Sequence, residues 1–147
     1  PAPPDKSSMP AELRLVNEPR PPSVLIVDDA SGMRTYLRLV FETAGFECTE
    51  AADGGEAFDQ ILARSYDLLI TDLEMPGMDG FQLISAVSLL PAARRPPIIV
   101  VSALLDETLA ERRPELRAAA ALLAKPCQPV DLFKAVNKVL KLRAGCR

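Results

Sequence analysis

The chain has 147 residues, of which 48% are apolar and 25% charged, enough for one ordinary domain with a full core, a solvated surface and an extra tail. Its net charge of −3, with no basic run and no aromatic platform, argues against a nucleic-acid binder, which needs a basic face to displace counterions. No apolar stretch is long enough to cross a bilayer, and the absence of histidine excludes Ser-His-Asp or Cys-His catalysis and a histidine phosphocarrier site within the chain.

Residues 1–22 read as a proline-rich linker or disordered tail, interrupted at Pro1, Pro3, Pro4, Pro10, Pro19, Pro21 and Pro22, with a short helical turn expected around Ala11 to Val16. Its composition is not that of a signal peptide. From Ser23 onward strand and helix signals alternate. Ser23 to Val27 is an apolar, β-rich run, read as a buried strand. Ser31 is expected to cap a helix over Gly32 to Thr43, with Met33, Tyr36, Leu37, Val40 and Phe41 on one face and Gly45 ending it. Phe46 to Ala51 reads as a second strand and Gly54 to Arg64 as a second helix. Tyr66 to Thr71 is a third strand that ends at Asp72, and Asp79 caps a helix over Gly80 to Leu90. Pro97 to Val101 is a fourth strand. A helix is expected over Leu105 to Arg117 despite Pro114, then a fifth strand over Ala120 to Ala124 and a closing helix over Pro129 to Lys141. Residues 143–147 are left as a C-terminal tail. Strands alternating with helices imply a doubly wound α/β domain, a parallel sheet covered on both faces through right-handed crossovers.

Ligands of such folds bind beyond the carboxyl ends of the strands. The first strand delivers Asp28 and Asp29 there, the third Asp72, the fourth Ser102, and the fifth Lys125 followed by Pro126. Carboxylates within a few ångströms repel each other by about 1–4 kcal/mol per pair near a surface, so three together call for a cation. Magnesium suits them, as a hard ion that takes one or two carboxylates and keeps positions for water and phosphate oxygens. Taken singly, Asp28 and Asp29 also read as a helix N-terminal charge pair, Asp72 as a turn cap, Ser102 as a plain strand-end serine and Lys125 as a solvated lysine.

The linear pattern narrows these readings. Val24-Leu25-Ile26-Val27-Asp28-Asp29 followed by Arg34, the run from Asp67 to Gly80, Ile98 to Ser102, and Lys125-Pro126 stand in order at predicted strand ends. Together they resemble a response-regulator receiver domain of two-component signalling, over about Ser23 to Leu142. The resemblance implies a flavodoxin-like five-stranded parallel sheet of order 2-1-3-4-5 and a receiver domain spanning 23–142. It implies that Asp72 is the phosphoacceptor, loaded from a phosphohistidine on a sensor histidine kinase or histidine phosphotransfer protein. It further implies that Asp28, Asp29, Asp72 and the backbone carbonyl of Glu74 hold Mg2+, that Lys125 pairs with the phosphoryl group, and that Ser102 gives it a hydroxyl. No enzyme of another class is implied beyond self-catalysed, magnesium-dependent phosphorylation and dephosphorylation. Leu122 stands where the family carries an aromatic switch residue, no glycine precedes the fifth strand, and Glu74 places an acid two residues after Asp72. Glu74 is expected to affect the lifetime of the phosphorylated state, and an unchanged dephosphorylation rate in Glu74→Ala would refute this. A cytoplasmic setting, a phosphorylation-dependent homodimer, and either an upstream domain in a longer chain or a stand-alone regulator with a disordered tail complete these expectations, with neither nucleic acid nor membrane bound.

Other readings stay open on the residues. An aspartate-nucleophile phosphatase would carry an acid at position 74, but has no room here for a cap domain. A flavin-binding domain would meet repulsion between its phosphate and Asp28-Asp29. A calcium loop over Asp72 to Gly80 loses its ligand alternation at Met75, Pro76 and Met78. A receiver-like interaction module that is never phosphorylated shares the whole pattern. Cys48, Cys127 and Cys146 are odd in number and far apart, which excludes a disulfide framework or zinc site and fits a reducing compartment. Cys127, close to Lys125, reads as a redox site or, more commonly, a packed thiol.

Overall fold

The computed structural model describes residues 20–145; the helical turn expected around Ala11 to Val16 lies outside them. Five strands form one sheet: β1 (Ser23–Val27), β2 (Glu47–Ala51), β3 (Leu68–Thr71), β4 (Ile98–Ser102) and β5 (Ala121–Ala124). Their order is β2-β1-β3-β4-β5 and every neighbouring pair is parallel, as the resemblance implies. Three strands are buried along their whole length. That is why they read as unbroken apolar runs rather than alternating ones.

The period of two along each strand divides the interior into two cores. Val24 and Ile26 of β1, Leu68 and Ile70 of β3, and Ile99 and Val101 of β4 face one side. There α1 (Ser31–Thr43) brings Leu37 and Phe41, with Met33, Tyr36 and Val40 packed against them. The closing helix α5 (Pro129–Gly145) adds Leu132, Val136 and Val139 to the same core. Leu25, Val27, Leu69, Ile98 and Val100 face the other side, against Ala57 and Ile61 of α2 (Gly54–Ala63) and Phe81, Leu83, Ile84 and Val87 of α3 (Gly80–Ser88). Among the described residues no helix is long and apolar enough to cross a membrane.

Local chemistry moves several boundaries. Ala30, not Ser31, holds the cap position of α1, and Ser31 makes no capping bond. The turn is organised one step earlier, where Asp28 Oδ1 accepts the Ala30 N–H at 2.9 Å. α5 continues to Gly145, beyond Lys141 and into the stretch expected to be a tail. The helix expected over Leu105 to Arg117 does not form as one piece. It is a short α4 (Leu109–Arg112) followed by a 3-10 turn over Pro114–Ala118. Pro114 has no N–H to give to the preceding turn, and its ring drives Arg113 out of helical geometry, to φ −126° and ψ 87°. Each piece buries one leucine, Leu109 and Leu116. At the break, the Arg113 guanidinium lies over the Phe81 ring of α3, 3.5 Å from its centroid. Leu122 of β5 stays 39% exposed.

Candidate functional site

Sheet register decides what meets at the rim. Val27 lies beside Thr71 across β1 and β3, so Asp28 and Asp72 leave adjacent strand ends side by side. The ladder runs one step further, with the Asp72 N–H on the Val27 carbonyl at 3.0 Å and the Asp28 N–H on the Ala51 carbonyl at 3.2 Å. Ser102 pairs with Ala124 across β4 and β5, which puts Lys125 one residue past the edge strand. Its stem spans the intervening strands, and Nζ donates to Asp28 Oδ2 at 2.8 Å and to Asp72 Oδ2 at 2.9 Å.

Both acids are nearly out of water, Asp28 at 2% and Asp72 at 7% exposure, where charge is costly unless paired and hydrogen-bonded. The geometry meets both demands. Asp72 Oδ1 accepts the Leu73 N–H at 2.6 Å, and Asp28 Oδ1 is taken by Ala30. Asp29 stands exposed beside them, and one oxygen from each of Asp28, Asp29 and Asp72 lies within 4.8 Å of the others. Lys125 offsets one of three negative charges. The rest is a hard-oxygen donor set with a net charge that a divalent cation would neutralise, so the residues present fit Mg2+.

Burial would lower the pKa of Lys125, but hydrogen bonds to Asp28 and Asp72 and the attraction of both carboxylates outweigh it and hold the ammonium above the usual lysine value. A raised pKa contributes stability that is fully present at neutral pH and lost only as pH climbs through that alkaline value. Lys125→Ala is expected to lose about 2–3 kcal/mol in magnesium-free urea melts, somewhat under the cost of breaking a fully buried pair because the lysine retains contact with solvent. An unchanged midpoint would show that the rim charges are not coupled.

Ser102 is fully buried, and its Oγ accepts the Leu104 N–H at 3.2 Å. The Lys125–Pro126 peptide is cis. Glu74 is exposed two residues past Asp72, while Leu73 and Met75 on either side of it are buried and anchor the loop. Further on, the Gly54 N–H donates to the Met78 carbonyl and the Gly80 N–H to the Leu73 carbonyl, both at 3.0 Å. Asp79 and Gln82 then cap α3 reciprocally, each side chain accepting the other's backbone N–H at 2.9 Å.

Asp28, Asp29, Asp72 and Lys125 thus gather at one point, with Ser102 at the neighbouring strand end. Sequence reasoning assigned no part to Gln82 or to Asp53, whose Oδ1 caps α2 by accepting the Glu56 N–H at 2.8 Å. The spacings Asp53…Glu56 and Asp79…Gln82 are the linear signal that identifies both caps. The two thiols among the described residues are quiet. Burial pushes Cys48 up to about 11. Burial and then Asp131 raise Cys127, against the pull of Lys125, so both stay protonated at neutral pH.

Known proteins resemble this chain in sequence and fold. The model of the family described as "Response regulator receiver domain" covers residues 24–137. The sporulation initiation phosphotransferase F of Bacillus subtilis is 31% identical over 122 residues, 83% of this chain and 96% of that protein. The cyclic di-GMP phosphodiesterase response regulator RpfG of Xanthomonas campestris is 35% identical over 82% of this chain, which spans only 32% of that longer protein. Among solved structures, the chemotaxis response regulator CheY4 of Vibrio cholerae superposes with a TM-score of 0.73 at 33% identity, covering 82% of this chain and all of that one. The response regulator TrrA of Thermotoga maritima, solved in complex with Mg(2+)-BeF, gives 0.72 at 27% identity over 81% of this chain and 99% of that one. On fold, rim and relatives alike, the chain belongs to the response regulator receiver domain family of two-component and phosphorelay signalling.

Proposed function

We propose that Asp72 is the phosphoryl acceptor of this receiver, loaded from a phosphohistidine on a sensor histidine kinase or a histidine phosphotransfer protein. The observation that carries this reading is the Lys125 ammonium bridging Asp72 and Asp28 at the switch point of the sheet. An oxygen of Asp72 bonds to phosphorus as the phosphorus–nitrogen bond breaks; the electron pair returns to the imidazole, which takes up a proton. Lys125 lies within reach of the acceptor oxygen and pairs with the incoming phosphoryl oxygens as a compact charge. Ser102 Oγ is an acceptor toward Leu104, so its own O–H is the group it offers to the modified Asp72. That exchange biases the β4–β5 connection between two arrangements.

Asp28, Asp29, Asp72 and the Glu74 carbonyl are the groups that would hold Mg2+, which when bound neutralises charge on the phosphoryl oxygens. The acid cluster supports this, as does the magnesium complex of the related TrrA. The same residues would let the domain catalyse its own phosphorylation from small donors and its own dephosphorylation, with exposed Glu74 setting the lifetime; that lifetime should change at least several-fold in Glu74→Ala. Residues 23–142 would form the receiver unit, with 1–22 a linker to an upstream domain or a free tail, in a cytoplasmic protein that dimerises when phosphorylated.

Incubation with acetyl phosphate and magnesium, followed by intact-mass measurement and borohydride trapping, tests the assignment. One phosphoryl adduct, trapped at Asp72, is expected. An adduct at another residue overturns the assignment. None from either acetyl phosphate or a phosphorylated kinase favours the unphosphorylated interaction module.

A further inference from the structure

Besides Lys125 at its Oδ2, three further groups hold Asp28. Its N–H is fixed by the Ala51 carbonyl of β2 and its Oδ1 by the Ala30 N–H. Its carbonyl is taken by Arg34 Nη1 at 2.7 Å, from one turn into α1. That carbonyl belongs to the peptide plane joining Asp28 to Asp29, so whatever holds it sets the direction in which Asp29 leaves the strand. Arg34 is itself anchored: its Nε donates to Glu50 Oε1 at 3.3 Å, and the other Glu50 oxygen accepts from Arg38 Nη1 at 2.8 Å. Glu50 pairs with Ile26 in the β1–β2 register and immediately precedes Ala51. The strand that fixes the Asp28 N–H therefore also fixes the arginine that fixes its carbonyl.

We infer that Arg34, braced by Glu50, is a positioning residue for the acid pair: it orients the Asp28–Asp29 peptide so that both carboxylates face Asp72, and thereby sets the magnesium affinity of the rim. A guanidinium suits the task because its fork serves a carbonyl and a carboxylate at once in fixed geometry, which a lysine's single ammonium does not reproduce. Glu50 occupies the remaining charge of Arg34, so the effect on the rim is one of orientation and not of added positive charge. The inference rests on the reading of Asp28, Asp29 and Asp72 as the metal-binding acids.

The test is magnesium titration of the folded, unphosphorylated protein by calorimetry, with circular dichroism showing that each variant is folded. Arg34→Ala is expected to raise the magnesium Kd tenfold or more, the usual cost of losing a group that orients a metal ligand, with Arg34→Lys between it and the wild type. Glu50→Ala weakens binding in the wild-type background and adds little in the Arg34→Ala background, because it acts through Arg34. Acetyl-phosphate kinetics then show a raised magnesium requirement with the rate at saturating magnesium largely kept. Arg34→Ala binding magnesium within twofold of the wild type, or fully additive Arg34 and Glu50 effects, overturns the inference. If Arg34→Ala does not fold, a wild-type Kd in Arg34→Lys overturns it as well. A wild type that binds no magnesium overturns the metal reading itself, and this inference with it.

Discussion

Asp72→Asn is expected to take up no phosphoryl group from acetyl phosphate or from a phosphorylated kinase, and to be more stable than the wild type in magnesium-free buffer. Loss of the adduct follows from chemistry: an amide oxygen is no nucleophile toward phosphorus, and the buried neighbour Asp28 has its oxygens taken by Lys125 and the Ala30 N–H. The gain in stability follows from the charges. Asp72 meets one ammonium at 2.9 Å and two carboxylates that each offer an oxygen within 4.8 Å. At an effective dielectric near 20, the attraction is about 6 kcal/mol and each repulsion about 3.5 kcal/mol, so the two repulsions slightly exceed the attraction. Taking a buried charge out of water tips the balance further, although solvent around exposed Asp29 weakens its share. A net gain of about 1 kcal/mol in urea melts is expected on this balance. Magnesium reverses the order, because it stabilises whichever protein binds it more tightly, and the wild type keeps all three acids. A variant less stable than the wild type without magnesium would mean that Lys125 satisfies the cluster unaided.

Strand burial explains why so much of the site is visible in the linear sequence. In a parallel sheet the strands are buried on both faces, so Val24 to Val27, Leu68 to Ile70 and Ile98 to Val101 carry no polar residue until the chain reaches the rim. Asp28 and Ser102 follow their runs directly, and Asp72 follows one buried residue later, after Thr71, whose hydroxyl is satisfied by the Asp72 carbonyl; these three side chains are the rim. Lys125 is harder to place, since β5 is a short, partly exposed edge strand and the lysine reaches its partners only across β4 and β3. What the sequence hides are contacts that depend on register and turn geometry. Nothing linear links Arg34 to Glu50 or tells which of their atoms reaches the Asp28 carbonyl. The divided segment between β4 and β5 was legible in part: Pro114 marks the break, but the apolar spacing of Leu105, Leu109 and Leu116 outlines one helix where backbone chemistry makes two short pieces. The exchange proposed for that segment would start from a shortened helix, with Arg113 stacked on Phe81 and Leu122 39% exposed.

The loop after Asp72 depends on a distance no sequence pattern displays. A Cβ on Gly80 would lie 2.1 Å from the Asp72 carbonyl oxygen and 2.7 Å from Leu73 Cα, both backbone atoms that cannot swing aside. Gly80→Ala must therefore push α3 and the strand end apart. Overpacking of this kind costs about 1–3 kcal/mol, and the backbone nature of the obstacle argues for the upper part of that range. The displaced atoms belong to Asp72, the proposed acceptor. Asp72 Oδ1 is tied to the Leu73 N–H, and the Leu73 carbonyl to the Gly80 N–H, so moving Gly80 drags the carboxylate with it. Since catalysis of phosphoryl transfer is mostly positioning, a displacement near 1 Å costs on the order of a hundredfold in rate. Gly32→Ala is the matched control. Gly32 has nothing within 4 Å of its Cβ position and lies inside α1, so the same substitution there should stabilise by about 0.5–1 kcal/mol and leave acetyl-phosphate kinetics unchanged. If Gly80→Ala instead melts like the wild type and is phosphorylated at the wild-type rate, the loop yields freely, and the close approach of α3 to Asp72 plays no part in holding the acceptor in place.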